Sequence, residues 1–304
     1  MPMQVRKVIF MVVVVLIIAK PLLAQNDAAT NNANYQKALE LYNSANPAEG
    51  IPYLESILQT NSIIKPAAYD LLGNIYDKTQ QPEKAVEMYK EGIKLDPTHQ
   101  TLHFNLGIAY FRAKKYADAE LSAIEAIKLN PKHANSQRLY GLVTFHQNKR
   151  VNALLAFCSF LLLDPQNQRA EEAYTNMQSI LSGGVLKTEA AAKDATTLAL
   201  NSGLSTIIAA GKTKNLQGLT LLEYQLKSIF ITAGQLSAKK TNKTFFDNYY
   251  VAFFYKLAQS PQLSTFAKLV SVSGEKGAYD KWQQEGIQQI TLLNDWVRAT
   301  ERKF

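Results

Sequence analysis

The stretch YDLLGNIYDKTQQPEKAVEMYKEGIKLDP (residues 69–97) is followed by HFNLGIAYFRAKKYADAELSAIEAIKLNP (103–131) and QRLYGLVTFHQNKRVNALLAFCSFLLLDP (137–165). Laid over one another, they place a glycine (Gly73, Gly107, Gly141), an alanine (Ala85, Ala119, Ala153) and a closing proline (Pro97, Pro131, Pro165) at a constant spacing of 34 residues. A fixed period of that length marks a stacked array, so the repeat is read before local structure. Each copy reads as two helices. The glycine falls where the first helix must lie close to the second, and the alanine is its small counterpart. Leu72, Tyr76 and Tyr89 fill the seam of the first full copy. The Asp-Pro or Asn-Pro pair stops the second helix, because proline lacks the N–H and crowds the preceding turn. One helical hairpin cannot bury its apolar face, and stacked copies can.

These copies resemble tetratricopeptide repeats (TPRs). The resemblance covers residues 34–181: a degenerate copy at 34–61 with Ala38, Gly50 and Tyr53 in place, full copies at 66–99, 100–133 and 134–167, and a capping helix at 168–181. The expected fold class is all-α, a TPR-type helical-hairpin solenoid over residues 25–181 followed by a helical C-terminal domain over 182–304. The last full copy departs from its siblings. Phe160 stands where they have Gly92 and Ala126, which implies a different neighbour, the following domain.

The resemblance implies a concave face built from the first helices that holds an extended peptide or a partner helix. On this chain that face carries Asn74 in one copy, then Phe104, Asn105, Ile108, Phe111 and Arg112, then Arg138, Leu142, Phe145 and His146. The subfamily that clamps a peptide carboxylate is not matched. Asn74 and Asn105 fall on its asparagine positions, but Asp70 and Asn135 replace lysines and Leu139 replaces the arginine. Arg138, one residue away, points about 100° differently on a helix. What remains is an apolar stripe, Phe104, Phe111 and Phe145, flanked by Arg112, Arg138 and His146. Exposed aromatic and arginine side chains are the usual anchors of interfaces. A foreign protein or peptide and the chain's own C-terminal domain are equal readings of what covers the stripe.

The chain has 304 residues, 47% hydrophobic and 19% charged, enough apolar material for two ordinary domains and too much for a disordered chain. Residues 1–24 read as a secretory signal peptide: Arg6 and Lys7, then VIFMVVVVLIIA (8–19), then small Ala24. As a helix that apolar run reaches about 18 Å, short of the roughly 30 Å hydrocarbon core. An exported chain is expected, periplasmic or envelope-associated if the source is Gram-negative, with no transmembrane segment after cleavage. Cys158 is the single cysteine, which excludes an internal disulfide, and its apolar surroundings read as core. Net charge is +8 overall, −1 for residues 25–181 and +6 for 182–304, supporting a boundary near 182. The basic residues of the second half are scattered, as on a solvated surface.

The C-terminal half shows breaks at SGG (182–184) and NSG (201–203) and helical patterns over 187–200, 216–235, 244–259, 262–272 and 277–300. In TFFDNYYVAFFYKLAQ (244–259), Phe245, Tyr249 and Phe253 share one spacing of four, and Phe246, Tyr250 and Phe254 another. They form a broad aromatic helix face that reads as bundle core. A ligand or partner wall and a peripheral membrane-surface helix are its alternatives. HExxH, CxxC and phosphate-cradling glycine loops are absent. The histidines (His99, His103, His133, His146) sit in loops or repeat registers and form no ligand set. No catalytic residue, metal or cofactor is expected, and basic residues are not clustered with stacking aromatics as nucleic-acid binding requires. The expected function is an exported, non-catalytic protein-binding or scaffold module using the groove. The alternatives are a structural component of an envelope complex acting through the C-terminal domain, and an enzyme with a site in residues 182–304. Secretion in a bacterial host is expected to yield a chain beginning at Gln25, which intact-mass measurement checks; retention of residues 1–24 would refute the cleavage.

Overall fold

The computed structural model describes residues 27–184, 194–275 and 277–304; the N-terminal apolar run lies outside them. Among the described residues every regular element is helical. The chain forms two compact units, one up to Ala109 and one from Tyr110. This division falls inside a repeat helix, whereas the charge pattern points to residue 182.

In the first unit, α1 covers residues 27–42. A tight helical turn, Pro47–Gly50, leads into α2 (Ile51–Leu58), followed by α3 (Lys65–Lys78), α4 (Pro82–Leu95) and the start of α5 (Gln100–Arg112). Proline stands in the first turn of α2, α3 and α4, where its missing N–H costs nothing and its fixed φ suits the helix. Gly73 lies under the ring of Tyr89: a Cβ there would stand 2.3 Å from the ring. Leu72 and Tyr89 are buried and Tyr76 half-buried. In the degenerate copy Ala38 is buried against Gly50, but Tyr53 is 38% exposed and does not fill the seam.

The second unit continues with α6 (Tyr116–Leu129), α7 (Ala134–His146), α8 (Arg150–Leu163) and α9 (Ala170–Leu181). After residues 185–193 come α10 (Ala195–Thr213), α11 (Gly218–Ala238), a wide π-helical turn (Phe246–Val251) leading into α12 (Ala252–Ala258), then α13 (Leu263–Ser273), α14 (Ala278–Glu285) and α15 (Ile287–Ala299). The 34-residue period is written into the backbone. Gln80, Lys114 and Asn148, between the helices of successive copies, share left-handed φ values of 63°, 57° and 55°. Asp96, Asn130 and Asp164, each before a proline, end their helices at φ of −137°, −141° and −150°.

Every residue of α8 from Arg150 to Leu161 is buried, Phe160 and Cys158 completely. Its neighbours are α7, α9, α10, α13 and the π-helical turn. The third full copy is thus packed into the helices that follow it, as the oversized Phe160 implies. Helix α9 has the form of the expected cap: Ala173, Met177 and Ile180 face inward and Glu171, Thr175 and Gln178 outward.

Two sequence expectations change. The NSG break at 201–203 is helix interior. Asn201 donates to the Asn148 carbonyl (2.7 Å), and a Cβ on Gly203 would stand 3.1 Å from Thr232 Cγ2. Residues usually found in turns here serve a close contact and a loop carbonyl. The pattern over 277–300 splits at Gly286 into α14 and α15. The two-turn gap after Trp282 marks that split.

The aromatic stretch is core. Phe246, Tyr249, Tyr250, Phe253 and Phe254 are buried. Phe254 packs on Phe230 (ring centroids 4.7 Å apart) and Phe266 (5.8 Å), and Tyr250 stacks on Tyr140 (5.3 Å). Its polar atoms are matched. Gln137, fully buried in α7, donates to Tyr249 Oη (2.8 Å) and accepts from Tyr250 Oη (2.5 Å). Asp247, 2% exposed, receives Lys240 Nζ on both oxygens at 2.8 Å, together with the Thr244 N–H and hydroxyl. Burial alone would raise the Asp247 carboxyl; Lys240 and Thr244 hold it below its usual range. Gln137→Leu takes the acceptor from Tyr250 Oη, while Tyr249 Oη keeps the Pro131 carbonyl at 3.3 Å, and a loss of about 1–3 kcal/mol is expected in urea unfolding; an unchanged midpoint would dismiss the bridge.

Candidate functional site

In the first unit the polar groove positions of α3 and α5 are committed to partners within the protein. Asn74 Oδ1 accepts from Tyr89 Oη at 2.9 Å. Asn105 Nδ2 donates to Asp70 Oδ1 at 2.8 Å. Burial raises the Asp70 carboxyl, with the Asn105 bond and nearby His99 acting against it. Phe104 and Ile108 are half-buried on the same helix. Asn74 and Asn105, which match the carboxylate-binding subfamily, therefore spend polar atoms inside the protein.

In the second unit Phe111 and Arg112 occupy the last turn of α5, Phe111 half-buried and Arg112 exposed. Phe111 meets the His146 imidazole edge-on at 5.1 Å and the Tyr116 ring at 5.8 Å. Tyr116 stacks on His146 at 5.0 Å with an angle of 21° between rings. All three rings are half-buried and so keep part of their faces open to solvent. Tyr116 is absent from the sequence-derived set. It stands where the sibling copies have Pro82 and Arg150, so only that departure could have pointed to it.

The remaining groove positions divide. Leu142 is half-buried. Arg138 is half-buried and turned to α9, with Nη1 3.1 Å from Glu172 Oε1; burial lowers its pKa and Glu172 works against that shift. Its Nε is buried without a partner. Phe145 corrects the sequence reading: at 3% exposure it belongs to the core and presents no surface, because α7 is covered on that side. The apolar stripe of three phenylalanines is therefore replaced by Phe111, Tyr116 and His146.

The chemistry of these groups is that of contact. Among the described residues no set of three His, Cys, Asp or Glu side chains could hold a metal ion, and no helix is long and apolar enough to cross a membrane. Burial pushes the Cys158 thiol up, away from the thiolate a nucleophile needs.

Comparison with known families matches residues 73–113 to the family model described as TPR repeat and residues 100–133 to that described as Tetratricopeptide repeat. Comparison with curated proteins finds no match. Repeats of this type are typically non-catalytic protein–protein interaction modules.

Burial lowers the pKa of His146. The neutral ring is favoured in the fold, so its contribution is whole above the unfolded pKa and is lost as pH falls through the folded value. Between about pH 7.5 and 5, the urea midpoint of a His146→Gln variant is expected to fall less than that of the parent. Parallel curves would acquit this histidine.

Proposed function

From the tetratricopeptide repeats over residues 73–133, we propose that this chain is an exported, non-catalytic scaffold protein that binds a protein or peptide segment through the outer turns of α5 and α7. The observation that carries the reading is the half-exposed ring cluster of Phe111, Tyr116 and His146 beside exposed Arg112. Stiff aromatic rings lose little entropy on contact, and arginine adds a planar, directional cation; together they are the side chains most often found at the energetic centre of interfaces. The phenylalanine edge and imidazole face suit an apolar or aromatic side chain of the partner, and Arg112 suits an acidic one. Export rests on the basic, apolar and small-residue order of residues 1–24, and places the protein in the periplasm if the source is Gram-negative.

The test is affinity capture from an extract of the source organism, with the chain from Gln25 as bait and its Phe111→Ala, Arg112→Glu variant as control. Both substitutions sit on partly or fully exposed positions, so the variant is expected to keep its helical circular dichroism and thermal midpoint. A partner retained by the bait and lost by the folded variant at least about tenfold supports this face. A partner held equally by both refutes it and moves recognition to another surface.

A further inference from the structure

After α15 the chain is no longer helical, and residues 301–304 lie back over the aromatic helix of the second unit. Thr300 turns the backbone to an extended conformation, φ −100° and ψ 93°. The guanidinium carbon of Arg302 lies 3.8 Å from the Phe253 ring centroid, 5.0 Å from Tyr249 and 5.5 Å from Phe254. Nη1 donates to Ser159 Oγ of α8 at 2.7 Å. Trp296 closes the cage behind Phe253, with ring centroids 5.3 Å apart. Two residues further on, Phe304 stacks on Tyr249 at 5.5 Å and 5° and on Phe245 at 6.3 Å and 6°, yet is 52% exposed.

Two features separate this arrangement from ordinary core. The guanidinium, whose charge burial disfavours, is matched by π faces and hydroxyls, with Tyr249 and Ser159 as its hydrogen-bond partners. A leucine would seal the same gap without that cost. Cation and aromatic ring are spaced i and i+2 on a non-helical segment that follows the extended Thr300, and both rest on the ring of Tyr249; in an extended peptide that spacing sends side chains to one side. The segment thus sits in the manner of a docked peptide, with one half-buried cationic anchor and one stacked, half-open aromatic anchor.

We propose that the cage of Tyr249, Phe253, Phe254 and Ser159 is a recognition site for an extended peptide with arginine at one position and an aromatic residue two further on, and that residues 300–304 occupy it in cis. A partner bearing that pattern displaces the segment. The tether sets the threshold: a segment joined by a short link competes at roughly millimolar effective concentration, so only a partner that binds well, or is locally concentrated, takes its place.

The probe is a fluorescein-labelled peptide of residues 300–304, TERKF, titrated by anisotropy against the full chain and against the full-length Arg302→Ala, Phe304→Ala variant. The variant is expected to bind at least about tenfold more tightly than the parent, and a peptide with alanine for arginine is expected to lose about tenfold. Failure of the peptide to bind the folded variant, or equal binding of the arginine-free peptide, overturns the proposal. Should the variant not fold, hydrogen exchange of residues 300–304 in the parent is measured with and without millimolar unlabelled peptide. Faster exchange in its presence supports displacement, and unchanged exchange overturns it. A dimer of the parent that dissociates on adding peptide overturns the cis arrangement and assigns the cage to the segment of a second copy.

Discussion

Helix α8 has no side that water can face. From Arg150 to Leu161 each residue is buried, and a helix apolar all round is stable only when covered all round. An ordinary repeat helix needs partners on part of its circumference and leaves the rest to solvent, as α4 does with Glu83, Lys84, Glu87 and Lys90. Helix α7 and the cap α9 cover α8 in the manner of repeat neighbours, and α10, α13 and the π-helical turn cover the remainder. The C-terminal helices are therefore a condition of the third full copy's folding. Removing them would uncover the side of α8 that α10, α13 and the π-helical turn now face.

The aromatic helix answers that demand and adds specificity. Apolar rings alone would pack in many arrangements of similar energy. The hydroxyls of Tyr249 and Tyr250 are matched by one buried side chain, Gln137, and Asp247 accepts four hydrogen bonds from Lys240 and Thr244. Each contact is costly to break, because a buried polar atom without a partner retains its desolvation penalty. A slipped register of the aromatic helix would orphan these groups together, which limits the packings available to the rings.

The candidate face consists of what the core does not use. Asn74, Asn105, Arg138 and Phe145 all lie in the repeat registers that point to a groove, yet each has a side-chain partner inside the protein or is buried. Phe111, Arg112, Tyr116 and His146 keep exposed surface. The register narrows the choice to first-helix positions and their neighbours, and packing inside the protein removes several of them. Arg302, half-buried, likewise has its partners inside the protein, the rings of Tyr249, Phe253 and Phe254 and the Ser159 hydroxyl.

The sequence by itself determined the hairpins, their 34-residue period, the proline-terminated second helices, the close helix approach at Gly73, and the core role of residues 244–259. These rest on local rules: helical spacing, proline geometry, and small residues at close approach. Only the tertiary structure decided that NSG lies within a helix, that Phe145 is buried while Tyr116 joins the half-buried rings of Phe111 and His146, that Gln137 serves two tyrosines more than a hundred residues away, and that Arg302 enters an aromatic cage. Those outcomes depend on which distant helix covers which face. A residue's period along its own helix states which way it points, but not what meets it there.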